Sequence, residues 1–346
     1  MNDATLANTG AVVIIGAGLA GWTLAREIRA RDPARSVSII CGDAGDFYSK
    51  PMLSNALAQG KSAAQLIQTP ASAQATKLDV HLRSHVWVEA IDAANHVVQT
   101  TGGEVPFGQL VLALGADPVR LPIPGVGHAM SVNSWDDYAA FRAKLDAFTN
   151  ARVAIIGGGL IGSEFANDLA LAGHAVSVID PGQWPVSQLI DAQQGLGLAT
   201  ALGQLGVAFH WGDVVASIEQ ASDAGAHRVR LASGQEIEAD LVLSAVGLRP
   251  RTALAELAGL HVQRGVVVNG FGQTSHPDVW ALGDCAAYAS ASAKAAEPKP
   301  LPFVLPIMGA AKAIAASLTG TPTAISFGPM KVRVKTPAFP VSVDAI

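Results

Sequence analysis

Two glycine-rich segments, beginning at Gly16 and Gly157, have the residue types and spacing of a dinucleotide-binding turn. Each is a short run of β-branched residues, then G-x-G-x-x-G, then a helical pattern. The first glycine permits a tight turn, the second lets the backbone approach a pyrophosphate, and the third lets the helix pack on the strand. The pyrophosphate then contacts unpaired N–H groups at the helix N-terminus. The residues predicted to bind are Gly16, Gly18, Leu19, Ala20 and Gly21 in the first segment, and Gly157, Gly159, Leu160, Ile161 and Gly162 in the second.

An aspartate ends the next predicted strand after each segment. Asp43 follows residues 37–40, and Asp180 follows residues 176–179. A carboxylate there accepts hydrogen bonds from ribose hydroxyls, although either aspartate could instead only open a loop. Asp180 would repel a 2′-phosphate, and residues 181–183 supply no arginine to hold one. The sequence therefore predicts NADH in preference to NADPH.

Two such sites in one chain predict two dinucleotides held together. The common reason for that arrangement is hydride transfer between a nicotinamide and a flavin, so we expect FAD at one site and NADH at the other.

The pattern along the chain predicts an α/β fold with two nested, Rossmann-like, three-layer domains. An FAD-binding domain is expected over residues 1–116 and 243–320, interrupted by an NAD-binding domain over residues 117–242. The Pro-rich segment 117–127 and residues 248–251 would be the two crossings. Ser134 and Asp137 have the spacing of a capping box that opens a helix over residues 135–148.

Composition limits the possible functions. The chain has 346 residues, 50% hydrophobic and 15% charged, which suits two ordinary domains. Its formal net charge of -5 argues against general nucleic-acid binding. We find no signal peptide or credible transmembrane helix, because prolines and Lys312 interrupt the best candidate, residues 301–318. The nine histidines show no metal-ligand spacing.

The two cysteines, Cys41 and Cys285, are far apart and form no Cys-x-x-Cys or Cys-x4-Cys pair. A disulfide framework is therefore excluded, and a cytoplasmic location is expected. Without a disulfide relay, flavin electrons must leave directly, to an oxidant or to a one-electron carrier.

Further motifs, in the same order along almost the whole chain, resemble the rubredoxin reductases, within the pyridine nucleotide-disulfide oxidoreductase superfamily. They are the Ala-Leu-Gly-Asp segment at 281–284, crossover segments at 110–116 and 243–251, and residues 48–54, 158–170 and 334–343. The resemblance implies that Asp284 bonds an FAD ribityl hydroxyl, although an aspartate there could also cap the next helix. It places Gly115 at FAD and Gly247 at NAD.

The same resemblance implies that Lys50 and Pro51 line the isoalloxazine and that Glu164 faces the nicotinamide–flavin junction. Alternatively, Glu164 could be a carboxylate near a helix N-terminus that interacts only with the helix dipole. Related ferredoxin reductases carry a lysine where this chain has Asn55, so their lysine–glutamate pair cannot be assumed here. The family also continues into a small β-rich C-terminal domain. Residues 321–346 would be the incomplete start of that α+β domain.

The resemblance implies an FAD-dependent NADH oxidoreductase that passes single electrons to rubredoxin. A ferredoxin or flavorubredoxin reductase is the alternative enzyme, and a non-catalytic flavoprotein is the alternative of another class. Because rubredoxins are acidic, we expect a basic docking face. Residues 331–335 alternate strictly, which in a strand places Lys331, Arg333 and Lys335 on one face, although an ordinary solvated strand would look the same. Lys294 and Lys299 could join that face.

Overall fold

The first glycine-rich turn joins a buried strand to a helix at the centre of a parallel sheet. The structure, a computed structural model, describes residues 10–221, 226–289 and 297–344. The sheet consists of β1 (Val12–Ile15), β2 (Val37–Ile40), β3 (His81–Arg83), β4 (Gln109–Leu112) and β10 (Val279–Ala281). Its order is β10-β4-β1-β2-β3, and every pairing is parallel. Strands buried on both faces read as continuous apolar runs, as this sheet does.

Two helices cover one face of this sheet. Helix α1 (Leu19–Arg31) follows β1 directly, and α7 (Val304–Leu318) packs against α1. The Arg35 guanidinium donates from Nη2 to the Leu318 carbonyl over 2.6 Å, which satisfies an otherwise unpaired acceptor at the C-terminus of α7.

The second glycine-rich turn lies in a second parallel sheet. Its strands are β5 (Ala129–Met130), β6 (Arg152–Ile156), β7 (Ala175–Asp180), β8 (Ala208–Trp211) and β9 (Leu241–Ser244), in the order β5-β9-β6-β7-β8. Three helices belong to this half, α3 (Trp135–Leu145), α4 (Leu160–Leu171) and α5 (Ala192–Gln204). The predicted capping box is confirmed, because the Asp137 N–H donates to Ser134 Oγ and the Asp137 carboxylate accepts from the Ser134 N–H.

The chain crosses between the two halves through a short antiparallel ribbon. Residues Ala116–Pro118 pair with Leu248–Pro250. The expected return at residue 243 is too early, because β9 pairs with β6 in the second sheet. The hydrophobic pattern of an apolar strand is the same in either sheet. The sequence therefore could not show whether β9 belongs to the first or to the second sheet.

Smaller elements complete the two halves. The remaining helices are α2 (Ala71–Leu78) and α6 (Ala253–Leu257), with 3₁₀ turns at Lys50–Ser54, Ala64–Leu66, Val126–His128 and Gly283–Cys285. The remaining strands are Phe47–Tyr48, Ile67–Thr69, Val88–Asp92, Val97–Thr100, Gly103–Pro106, Val215–Gln220, His227–Leu231, Glu236–Ala239, Val266–Val268, Ala286–Tyr288 and Lys299–Pro300. Within the described ranges, no helix is long and apolar enough to cross a membrane.

A hairpin follows α7. Strand β11 (Lys331–Val334) pairs antiparallel with β12 (Val341–Asp344). Its buried valines at 334, 341 and 343 join the hydrophobic core of the second half. The hairpin is thus attached to the half of the molecule that contains the second glycine-rich turn.

Candidate functional site

The first glycine-rich turn has the steric properties of a pyrophosphate site. Gly16 has a φ of +113°, and a Cβ there would lie 2.3 Å from the Ala113 carbonyl oxygen. A Cβ on Gly21 would lie 2.0 Å from the Gly16 carbonyl oxygen, so the helix can approach the strand only with glycine there. A Cβ on Gly18 would meet nothing within 4 Å. The open face at Gly18, just before Leu19 and Ala20 begin α1, is the space that a pyrophosphate needs.

The second turn repeats the same steric pattern. Gly157 has a φ of +102° with the Ala245 carbonyl oxygen 2.6 Å from its ideal Cβ position, and Gly162 has the Gly157 carbonyl oxygen at 1.9 Å. Gly159, just before Leu160 and Ile161 begin α4, is again open. The two glycine-rich turns thus form two glycine cradles, which fit two dinucleotides, as the sequence predicts.

The two predicted ribose aspartates lie beside these cradles and have different partners. The Asp43 carboxylate accepts from the Gly45 N–H over 3.0 Å. The Asp180 carboxylate accepts from the Gly158 N–H over 2.6 Å and from the Gly182 N–H over 2.7 Å. Asp180 therefore also fixes the glycine-rich turn, and each of its oxygens keeps a lone pair for a ribose hydroxyl.

Lys50 and Asp284, far apart in sequence, meet in the structure. The Lys50 Nζ lies 3.9 Å from Asp284 Oδ2. Burial lowers the pKa of the Lys50 ammonium, and the Asp284 carboxylate opposes that shift. Pro51 lies next to Lys50 at the start of its 3₁₀ turn, and Asp284 lies in the turn just after β10. A cation and an anion are thus paired on the first half of the molecule.

Glu164 lies where the two halves meet. Its carboxylate is nearly fully buried and accepts from Ser54 Oγ over 2.5 Å and from the Lys335 N–H over 2.9 Å. It also forms an ion pair with the Lys335 ammonium. Ser54 ends the 3₁₀ turn that Lys50 begins, so Glu164 connects the start of α4 to that turn.

The ion pair changes the expected docking face. Lys331 and Arg333 are exposed on β11, as predicted, but Lys335 follows the strand and its side chain is directed to Glu164. Period-two alternation could not reveal this, because it applies only while the strand continues. Asp344 is the residue directly opposite Lys331 in the hairpin. Lys294 lies outside the described residues, and Lys299 is exposed.

The structure also supplies a lysine–glutamate pair that the presence of Asn55 had made doubtful. Its lysine comes from position 335, at the other end of the chain. Sequence reasoning missed this role, together with that of Ser54. The signal available was a cluster of polar residues, Ser163, Glu164, Asn167 and Asp168, inside a helix that is otherwise apolar.

Asp168 holds the same loop one turn further along α4. Its two carboxylate oxygens accept from the Leu57 N–H over 3.0 Å and from the Ala58 N–H over 2.9 Å. Burial raises the pKa of the Asp168 carboxyl, and these two hydrogen bonds oppose the shift. Helix α4 therefore fixes residues 50–58 through two buried carboxylates.

Replacing Lys335 by methionine is expected to lower the free energy of unfolding by about 1–2 kcal/mol, because the buried Glu164 carboxylate loses its charged partner. Lys331→Met, in the same hairpin but exposed, is the control and should cost less than about 0.5 kcal/mol. Urea unfolding of both variants measures the difference. Equal stabilities would show that the ion pair contributes nothing.

The two cysteines have no features of a redox relay. Burial raises the pKa of the Cys41 thiol to about 12 and that of the Cys285 thiol to about 11. Both thiols stay protonated at neutral pH and are poor nucleophiles.

Gly115 and Gly247 lie at the crossing ribbon. They have φ values of +74° and +107°, and their carbonyl oxygens accept from the N–H groups of Arg251 and Val119. Both positions favour glycine because the backbone is left-handed there.

Comparison with known proteins agrees with this geometry. The model of the family described as pyridine nucleotide-disulphide oxidoreductase matches residues 10–299. A rubredoxin-NAD(+) reductase from Acinetobacter baylyi is 41% identical over 338 residues, covering 96% of this chain and 84% of the relative. A nitric oxide reductase FlRd-NAD(+) reductase from Aeromonas hydrophila is 39% identical over 332 residues, covering 96% and 83%.

The fold is also similar to those of solved reductase structures. The putidaredoxin reductase in a covalent complex with putidaredoxin superposes with a TM-score of 0.86 at 27% identity, over 95% of this chain and 80% of that one. A ferredoxin reductase from Rhodopseudomonas palustris superposes with a TM-score of 0.86 at 25% identity, over 94% and 80%.

Proposed function

Because the chain belongs to the pyridine nucleotide-disulphide oxidoreductase family, we propose that it transfers electrons from NADH through FAD to rubredoxin. It is an FAD-dependent NADH oxidoreductase. One observation carries the proposal: the chain has two glycine-rich turns with the same steric pattern, one in each half. The two halves are in contact, because Ser54 of the first half donates a hydrogen bond to Glu164 of the second. When bound, FAD would supply the chemistry of accepting a hydride from NADH and releasing its electrons one at a time.

Each residue of the site has a proposed role. The glycine cradles hold the two pyrophosphates, and Asp43 and Asp180 accept from ribose hydroxyls. Asp284 accepts from a ribityl hydroxyl and keeps Lys50 in place beside it. Lys50 and Pro51 line the isoalloxazine. Glu164, held by Ser54 and Lys335, faces the nicotinamide–flavin junction.

Two acceptors have specific support. The Acinetobacter relative is named for rubredoxin and the Aeromonas relative for FlRd, at similar identities. We favour rubredoxin, with the flavorubredoxin carrier as the second candidate. Steady-state kcat/KM with each purified carrier under NADH separates the two. A cytoplasmic location is also proposed, supported by two buried free thiols.

We further propose that the two sheets mark two binding domains. The first sheet and α7 would form the FAD-binding domain, and the second sheet would form the NAD-binding domain. The crossing ribbon would be their boundary.

Exchanging Asp180 for Ser and Gln183 for Arg is expected to shift the NADPH/NADH ratio of kcat/KM by about 10–100-fold toward NADPH. The change removes repulsion of a 2′-phosphate and adds a charged donor, worth about 1–3 kcal/mol. Gln183→Arg alone is the control that separates the added cation from the lost carboxylate. An unchanged ratio in the double variant would show that Asp180 does not contact the ribose.

Reversing Lys331 and Arg333 to Glu is expected to slow rubredoxin reduction at low salt by roughly tenfold, mainly through the association rate. These residues are exposed on β11, four and two residues, respectively, before the Lys335 that forms an ion pair with Glu164. Steering by exposed charges weakens as salt screens them, so the difference should shrink at high salt.

The matched control reverses two exposed basic residues elsewhere, Lys77 and Arg264, with the same change in net charge. Flavin reduction by NADH should be unchanged in both variants. If the hairpin variant reduces rubredoxin at the parent rate at low salt, β11 is not the docking face.

A further inference from the structure

Trp87 is a large aromatic residue that the site described above does not use. Its surface is 66% exposed, although its backbone is fixed. The Trp87 N–H donates to Thr101 Oγ1 over 3.1 Å, and the Thr101 N–H donates to the Trp87 carbonyl over 2.9 Å. The backbone is therefore anchored while much of the indole remains open to a partner.

The inner part of the indole lies against Gly42. A Cβ on Gly42 would lie 2.7 Å from the Trp87 ring, so no other residue fits there without moving the ring. Gly42 does not have the left-handed backbone that would itself call for glycine. The observed contact between the indole and Gly42 thus depends on the absence of a side chain at position 42.

The contact lies just beyond the carboxyl end of β2, where Gly42 immediately precedes Asp43, the residue proposed to bind the ribose. With the pyrophosphate at Gly18 and the ribose at Asp43, as proposed above, the adenine would extend beyond the carboxyl end of β2, towards the segment that follows β3, the strand beside β2. That segment is joined to the end of β2, because the Val86 N–H donates to the Cys41 carbonyl and the His85 N–H to the Asp43 carbonyl, each over 2.9 Å. Trp87 comes next in the chain.

We propose that the Trp87 indole stacks on the adenine of FAD and so positions the adenosine end of the cofactor. This inference rests on the proposed FAD site. The second half provides a contrast. There the Trp211 ring lies over Gly158 but is already stacked on Phe209, with ring centroids 4.6 Å apart. Among the described residues, no other aromatic ring stacks on Trp87.

The test measures FAD and FMN binding to apoprotein of the parent, Trp87→Phe and Trp87→Leu. Leucine keeps an apolar contact with Gly42 but has no aromatic face. FMN lacks the adenosine part of FAD. We expect Trp87→Leu to weaken FAD binding by roughly tenfold, Trp87→Phe to keep most of the affinity, and FMN binding to be unchanged in both variants.

A fluorescent probe reports the stack itself. FAD carrying 1,N6-ethenoadenine should be more strongly quenched in the parent than in Trp87→Leu. The control is Leu257→Ala, another strongly exposed apolar residue, which should behave as the parent.

Three results would overturn the proposal. They are FAD binding by Trp87→Leu within twofold of the parent, equal losses for leucine and phenylalanine, or an equal loss of FMN binding. A parent apoprotein that binds no FAD would instead contradict the proposed function.

Discussion

Gly159→Val is expected to leave FAD bound while it lowers kcat/KM for NADH at least about 100-fold, and Gly18→Val is expected to yield protein without FAD. A Cβ at either position meets no protein atom within 4 Å, and their φ values of -69° and -76° suit any residue. The added side chain therefore enters only the space assigned to a pyrophosphate. A 100-fold loss corresponds to about 2.7 kcal/mol of lost binding in the transition state.

Flavin content, NADH kinetics and thermal unfolding without cofactors measure this prediction. Gly203→Val, on α5, is the control, because a Cβ there also meets nothing and no dinucleotide site is proposed nearby. Unfolding of all three apoproteins should differ only by the small cost of valine in each setting. Parent-like NADH kinetics in Gly159→Val would show that the second turn holds no pyrophosphate.

Asp284→Ala is expected to weaken FAD binding about 10–100-fold, and more than Asp43→Ala does. The Asp284 side chain is only 16% exposed, and Lys50 Nζ lies 3.9 Å from it, so its removal also leaves a half-buried cation without its carboxylate. Asp43 has one backbone partner, Gly45, and lies at the outer, ribose end of the proposed site.

Bound flavin per protein after dialysis, followed by FAD titration, gives the order of the two variants. Asp284→Asn is the matched variant, since it keeps an acceptor oxygen but removes the charge opposite Lys50. The ribityl assignment fails if Asp284→Ala retains as much FAD as the parent.

The parts of the fold that the sequence could predict are those fixed by local sterics. The glycine turns follow from the approach of a helix to a strand, and the Ser134–Asp137 cap follows from the hydrogen-bonding needs of a helix start. Such signals lie within a few residues of the structure that they determine. The boundary at residue 243 was misplaced because the sequence of an apolar strand, here β9, does not indicate which of two sheets it joins.

The residues around Glu164 could not be placed from the sequence for a different reason. Lys335 is 171 residues away and appears in the sequence as part of an alternating basic strand. Only the tertiary contact between the hairpin and α4 shows that its charge is used by a buried carboxylate. The role of Asp168 could not be predicted for the same reason, because its partners are backbone N–H groups of a loop that is distant in sequence.

The most direct test of electron transfer from NADH through flavin to rubredoxin is one anaerobic titration. The purified protein is mixed with one equivalent of NADH and then with oxidised rubredoxin, while the flavin absorbance is followed. We expect a yellow protein that bleaches with NADH and regains its colour as two equivalents of rubredoxin are reduced, since NADH carries two electrons and rubredoxin accepts one. A colourless protein, a flavin that NADH does not bleach, or a bleached flavin that rubredoxin cannot reoxidise would contradict the account.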